Sequence, residues 1–400
     1  MSVNSQKMFA LMFNMFIANA SFGIIIPILP AYLQSINQGG TAAGLLIAFF
    51  AGAQLFFSPI AGKWVDQYGC RKVIIYGLLI LSLSMFVFFV TDTIWIHYFS
   101  RFIGGIGAAM LIPAIFAYIA DITTLEQRAK GHSFISAAMS LGVVIGPGIG
   151  GFLADFGIKM PFLIAALSSI VAVMFSFLFL KESKQQNTEF LEDQIKTNDS
   201  ISKKLVLSFK MPYFIPLLIS LVMSFGLVGY ESVLSLFMDH RFDASPQQIA
   251  VMITSTGIVG VLVQLLIVEK IVGKFGELLT INLFLGLSAL GFFLSFVVNH
   301  FYLFFGITLI IFLSTSILRP VVNALISKLA GENQGFAMGL NNAYMSFGNI
   351  MGPTIAGVVY DMNIIYPFIL SMVLIVLTIF IAGIWRKSFE KNNKPIAVKD

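Results

Sequence analysis

Twelve apolar runs, each about 20 residues or longer, follow one another along this chain: 8–33, 42–62, 73–91, 95–119, 132–154, 161–180, 213–237, 247–268, 277–298, 301–325, 336–359 and 364–385. A run of that length crosses about 30 Å of hydrocarbon as an α-helix, the conformation that satisfies its own backbone hydrogen bonds in lipid. The expected fold class is therefore all-α integral membrane, with 12 transmembrane helices. The composition agrees, because 58% hydrophobic residues, 11% charged residues and a mean hydropathy of +0.91 lie outside the range of soluble domains. Lys7 and the small residues of Ala18-Asn-Ala20 imitate a secretory signal, but the apolar stretch continues to Leu33, so the first run reads as a retained helix.

The runs fall into two sets of six that share a phrase. Gly142-Val-Val-Ile-Gly146-Pro147-Gly-Ile-Gly150-Gly151 in the fifth run returns as Gly348-Asn-Ile-Met-Gly352-Pro353-Thr-Ile-Ala-Gly357 in the eleventh. Each copy is followed four residues later by an acid, Asp155 and Asp361. Ser21-Phe22-Gly23 likewise returns as Ser224-Phe225-Gly226. This is the pattern of one six-helix unit duplicated, and it predicts two pseudo-symmetric six-helix bundles at 1–180 and 213–386. Between them lies a linker, 181–212, whose charged and polar composition cannot bury a core, with a short surface helix near 201–209. A tail, 387–400, follows the second bundle. Duplicated membrane bundles are the usual build of secondary transporters. Glycines four apart let a neighbouring backbone approach closely and proline bends a helix, so the fifth and eleventh helices read as packed elements about which the halves rock.

Lys and Arg in short loops collect on the cytoplasmic side. With both termini inside, 20 of the 24 basic residues are cytoplasmic, Arg101 and Arg319 lie within spans, and Lys159 and Arg241 are outside. The net charge of +5 thus expresses topology in a cell membrane and implies no nucleic acid. The single cysteine, Cys70, excludes an intramolecular disulfide. His97, His132, His240 and His300 lack metal-ligand spacing and no phosphate loop is present, so no metal, cofactor or enzyme chemistry is expected, and energy has to come from an ion gradient.

An ionisable group at membrane depth is costly and is a functional candidate by default. Three stand out: Arg101, Glu231 and Arg319. Glu231 is the carboxylate well inside a span. Desolvation favours its protonated form and an approaching cation favours the charged form, so proton and cation compete for one group, as antiport requires. The plainer alternative is a static ion pair of Glu231 with Arg101 or Arg319. For Arg101 the alternative is a snorkelling arginine near the outer surface.

The segment after the second run, Gly62-Lys-Trp-Val-Asp66-Gln-Tyr-Gly69-Cys-Arg71-Lys72, places an acid, a turn glycine and a basic pair between two spans, as a latch or as a solvated basic loop. It resembles the cytoplasmic signature of the major facilitator superfamily at Gly62, Asp66, Gly69 and Arg71. It departs from that signature at Trp64 and Cys70. Arg101-Phe-Ile-Gly-Gly105-Ile-Gly107 resembles the fourth-helix signature, and 142–151 resembles the fifth-helix signature of the drug:proton antiporters at every defined position. The chain is similar, nearly end to end, to the Gram-positive multidrug efflux pumps of the 12-helix type. The resemblance implies the major facilitator fold and export of amphipathic, often cationic small molecules in exchange for protons. It also implies a monomer in lipid and a part for Arg101 in proton coupling; on the cost of burial that coupling falls to Glu231, alone or with Arg101 and Arg319 as switching partners, and Asp121, at the inner end of the fourth run, is placed to pair with Arg71 in the latch. Those pumps carry a second acid three residues before the tenth-helix arginine, where this chain has Ser316.

A central substrate cavity is expected to draw on Phe22, Ser140, Glu231, Ser235, Phe312, Ser316 and Tyr344. A proton-coupled transporter of a specific metabolite or sugar is the alternative; its usual sign is several polar side chains in the first helices, which here hold little beyond Asn14, Asn19, Gln54 and Ser140. A membrane sensor normally carries a soluble output domain, and no stretch of this sequence has the length for one.

Overall fold

The computed structural model describes residues 3–182, 209, 211–331 and 334–392, with side chains except at 3–4, 125–130, 265, 334–335 and 386–392. Among these are twelve helices of 20 to 30 residues. They are α1 Val3–Gly23, α2 Gly40–Tyr68, α3 Cys70–Val90, α4 Ile94–Ile122, α5 Leu125–Leu153, α6 Met160–Phe179, α7 Phe214–Phe242, α8 Pro246–Leu266, α9 Glu277–Val297, α10 Phe301–Ala330, α11 Gln334–Met362 and α12 Tyr366–Asn392. Two short helices, Leu29–Ser35 and Val268–Phe275, are left unnumbered. Eleven of the segments are long and apolar enough to cross a membrane. The exception, α11, carries Asn341, Asn342 and Asn349 among its glycines, which dilutes its apolar content.

Three local features differ from the sequence expectation. The first run is not one helix. α1 ends at Gly23, and a 3-10 turn at Ile26–Ile28 leads into Leu29–Ser35. Pro27 and Pro30 lack the amide hydrogens that would continue the α-helical ladder. The segment after the second run is not a loop: α2 stays helical to Tyr68, and Gly69 alone turns the chain into α3. Its φ of +87° is in the range that only glycine adopts without strain. At the end of α8 the chain forms the further helix Val268–Phe275, polar on one side through Glu269, Lys270 and Lys274. Most of the linker, including 201–208 of the expected surface helix, lies outside the described residues.

Contacts group the residues into two compact units. One takes in α1–α6 together with Glu231–Ile258 and Pro353–Met362; the other takes in 211–230, Val259–Gly352 and 363–392. In the first, α3 packs on α4 and α6, α1 on α5 and α6, and α2 on α4. Its core is aliphatic, with Leu11, Met15, Ile74, Leu78, Leu111, Ile115 and Ile119 nearly inaccessible. In the second, α9 packs on α10 and α12, repeating the α3 arrangement six helices later. Its core is more aromatic: Tyr230 is ringed by Phe292, Phe312 and Phe368 at 5.4, 6.3 and 5.5 Å, and its hydroxyl meets Thr308 Oγ1 at 2.8 Å. Large apolar side chains such as Trp95, Phe177, Leu178, Phe380 and Ile384 face outward, as lipid contact requires.

Candidate functional site

The duplicated phrase is a packing seam. On α5, Gly142, Gly146 and Gly150 recur every four residues and lie against α1: a Cβ at Gly146 would fall 2.7 Å from the carbonyl oxygen of Ala20, and one at Gly150 would overlap that of Ile24. Pro147 lies against Gly23, where a Cβ would be 2.8 Å from its Cδ. Gly151 turns toward α8, against Ala250 and Pro246, and Gly148 faces Thr254. The second copy repeats the use: Gly348 and Gly352 lie against Leu221 and Phe225 of α7, and Gly357 lies against Gly40 of α2. One stripe therefore fixes a helix within its own half, while the other receives an outer segment from the opposite half.

The acids that follow the phrase sit where those segments begin. The helix α2 starts after Gly39, which has no side chain to cap it. Asp361 supplies the cap from the far end of the sequence, accepting from Gly40 N at 2.6 Å, Thr41 N at 2.8 Å and Thr41 Oγ1. Asp155 accepts a hydrogen bond from Gln247 in the first turn of α8. That helix also caps itself, since Ser245 N donates to Gln248 Oε1 at 2.9 Å and Gln248 N to Ser245 Oγ at 3.3 Å, a reciprocal pair.

Arg101 is 4% exposed in α4. Its guanidinium lies 5.0 Å from the Phe88 ring and 5.9 Å from Phe50, with Nε and Nη1 lacking hydrogen-bond partners among the described residues. Phe50 in turn meets Phe22 at 5.4 Å, so two of the expected residues, Arg101 and Phe22, share one aromatic cluster. One turn before Arg101, His97 stacks on Phe88 at 4.2 Å and its Nε2 meets Tyr32 Oη. Tyr32 reaches Asp92 at 3.4 Å, and Asp92 pairs with Lys159 at 2.7 Å. Sequence reasoning missed this track. Its one visible signal was Lys159, a basic residue on the side with few of them.

Arg319 is exposed beside a shallow cleft in the second unit. Ser220, Met223, Ser224 and Leu227 line it from one face of α7, at i, i+3, i+4 and i+7, and Val322, Asn323 and Met345 complete it. Asn341 donates to Asn323 Oδ1 at 2.9 Å. No ion pair or side-chain hydrogen bond of Arg319 is formed among the described residues. By helix rise it stands about 27 Å from the start of α10 and about 16 Å from its end, within hydrocarbon depth.

Glu231 is half-buried in α7 and is the one described carboxylate more than two helical turns from either end of its helix. Ser235, one turn on, is buried with its Oγ unsatisfied. Ser316 is half-buried over Gly260 of α8, where a Cβ would stand 2.7 Å from its Oγ. Phe312 packs on Tyr230, Tyr344 is buried, and Ser140 is exposed on α5.

The expected latch is only partly assembled. Arg71 donates through Nη2 to the Phe177 carbonyl at 2.9 Å, and its backbone N donates to Glu182 at 3.2 Å. Asp121 is exposed, 4.0 Å from Cys70 Sγ, and Arg71 and Asp121 form no ion pair among the described residues. Asp66 is exposed on the last turn of α2, and Gly62 faces open space. Gly69 is confined by Glu182, whose carboxylate a Cβ there would overlap.

The family profile described as Major Facilitator Superfamily matches residues 11–241 and 217–399. The chain is 42% identical over 400 residues to Multidrug resistance protein 2 of Bacillus subtilis, covering 99% of each. It is 34% identical over 393 residues to the Quinolone resistance protein NorA of Staphylococcus aureus, covering 98% of each. Among solved structures, a bacterial homologue of the human lysosomal transporter Spinster superposes with a TM-score of 0.80 at 14% identity, covering 99% of each chain. The nucleoside transporter NupG superposes at 0.76 with 15% identity, covering 97% of this chain and 100% of NupG. These two likenesses bear on fold alone.

Proposed function

The chain belongs to the major facilitator superfamily, and from that premise we propose that it is a proton-coupled antiporter that exports amphipathic, often cationic small molecules by alternating access. The observation that carries this reading is the end-to-end relationship to proteins named for multidrug resistance. The protein works as a multi-pass transporter in the cell membrane, as a monomer, with both termini cytoplasmic as the basic loops require. Two six-helix bundles, 1–180 and 213–386, joined by the linker 181–212, alternate in exposing the substrate, and 387–400 forms a cytoplasmic tail.

Glu231 carries the exchanged proton and attracts the cationic part of the substrate, since desolvation of a carboxylate at membrane depth favours the proton and an approaching cation favours its release. Arg101, in its aromatic cluster, assists coupling in the first half. Phe22, Ser140, Ser235, Phe312, Ser316 and Tyr344 contribute substrate surface. Gly62, Asp66, Gly69, Arg71 and Asp121 form the cytoplasmic latch in a conformation where its charges meet. Support for the seam role of Gly142, Gly146, Pro147, Gly150 and Gly151 comes from their backbone contacts.

The test is ethidium efflux from energised cells, with and without a protonophore, for wild type and Glu231→Gln at equal membrane levels. The reading expects protonophore-sensitive efflux that the substitution abolishes. Absence of ethidium efflux by wild type overturns multidrug export in favour of a narrower transporter, and undiminished efflux by Glu231→Gln removes that residue from coupling.

A further inference from the structure

Two segments of the second sequence half pack with the first six helices: Glu231–Ile258, the end of α7 and the start of α8, and Pro353–Met362, the end of α11. With both termini cytoplasmic, as proposed above, these helix ends lie on the outer side of the membrane. The sequence halves are therefore joined there, α2 against α11 and α5 against α8. The α2–α11 seam is closely fitted. A Cβ at Gly44 would overlap the Pro353 carbonyl, one at Gly357 would overlap that of Gly40, and one at Gly40 would stand 2.7 Å from the Tyr360 ring. Tyr360 is held in turn by His240 of α7, whose Nδ1 meets its hydroxyl at 2.8 Å. At the rim Asp361 accepts from Gly40 N, Thr41 N and Thr41 Oγ1. Those bonds exist only while the two helix ends touch, and Gly39 offers the amides no substitute. The α5–α8 side differs. Asp155 accepts there from one side-chain amide, that of Gln247, while the reciprocal Ser245–Gln248 bonds form at the start of α8 without help from α5.

We propose that Asp361 is the lock of an outer gate, and that the two repeated acids have diverged in duty. Asp361 holds the gate shut through its three bonds to the start of α2, and Asp155 adds little to the closed form. The proposal rests on the alternating-access reading above and adds to it the contact that sets the balance between outer-closed and outer-open forms. When the gate is open, water meets both the carboxylate and the α2 amides, so removing the acid destabilises the closed form alone.

Pulsed dipolar electron spin resonance in lipid nanodiscs measures that balance. Labels are carried by Gln34→Cys and Asn363→Cys, exposed positions beside the two helix ends, with Cys70→Ser removing the native thiol. The readout is the ratio of long to short distances. Asp361→Ala is expected to raise it by about fivefold to thirtyfold, the range for a lost N-cap and its charge. Asp361→Asn, which keeps an acceptor, raises it less, and Thr41→Val raises it from the other helix with Asp361 in place. Asp155→Ala changes it less than either Asp361 variant. Asp361→Asn and Thr41→Val decide the case if Asp361→Ala does not insert. An unchanged ratio in the Asp361 variants, in protein that shows both distances, overturns the lock and leaves alternating access standing. A response to Asp155→Ala as large as that to Asp361→Ala overturns the division of duty. A single distance in wild type and every variant, with and without tetraphenylphosphonium, overturns alternating access and the lock with it.

Discussion

Replacing Asp361 with alanine removes three hydrogen bonds that tie the end of α11 to the start of α2. Because Gly39 offers no side chain, the first amides of α2 then have water alone as partner. Loss of an N-cap costs about 0.5–2 kcal/mol, and loss of a negative charge at a helix N-terminus about 0.3–1 kcal/mol. Asp361 is exposed, so solvent screening keeps the sum near the lower part of that range, about 1–2 kcal/mol. That is a factor of about 5–30 in the local opening equilibrium. Hydrogen exchange reads this equilibrium directly. The peptide containing Gly40 and Thr41 should exchange about 5–30 times faster in Asp361→Ala, while the peptide spanning 142–151 keeps its rate. Asp361→Asn retains acceptor oxygen but not charge and should show a smaller increase. Unaltered exchange at Gly40 and Thr41 in Asp361→Ala refutes the trans-cap.

Gly150→Ala presses a methyl group into the Ile24 carbonyl and should cost about 1–3 kcal/mol, whereas Gly62→Ala meets open space and should unfold with wild type; thermal denaturation in detergent compares them. Tyr32→Phe leaves buried His97 without its hydroxyl partner, and should destabilise the protein by about 1–3 kcal/mol. Lys159→Ala breaks only the partly exposed pair with Asp92 and should cost no more than about 1 kcal/mol in the same assay. Arg101→Lys keeps the charge but loses the planar contact with Phe88 and Phe50, so protonophore-sensitive efflux should fall below wild type at equal membrane levels.

The helical architecture was legible in the sequence because lipid imposes a length and polarity on every span. Two conspicuous breaks in expectation have simple causes. Pro27 and Pro30 interrupt an apolar run without changing its hydropathy, and the end of α2 is polar on the surface yet still helical. The glycine seam was legible as a repeated phrase, and its partners on α1, α7, α2 and α8 follow from backbone approach at glycine. What could not be read were pairings set by tertiary proximity. Asp361 and the uncapped Gly39 are separated by most of the chain, and each alone is an ordinary helix-end residue. In retrospect the repeated acid and the capless Gly39-Gly40-Thr41 start were its signals. The Tyr32, His97 and Asp92 track had no repeat to announce it, and the expected Arg71–Asp121 pair gave way to Phe177 and Glu182 because Gly69 turns α3 directly against the end of α6.

The claim that one carboxylate exchanges a proton for a cation is tested most directly without cells. Purified protein in weakly buffered detergent is titrated with tetraphenylphosphonium while the pH is recorded and binding is followed calorimetrically. The account predicts that the wild type releases protons as the cation binds and that Glu231→Gln releases none. Cation binding by wild type with no proton release, or release that persists in Glu231→Gln, contradicts it.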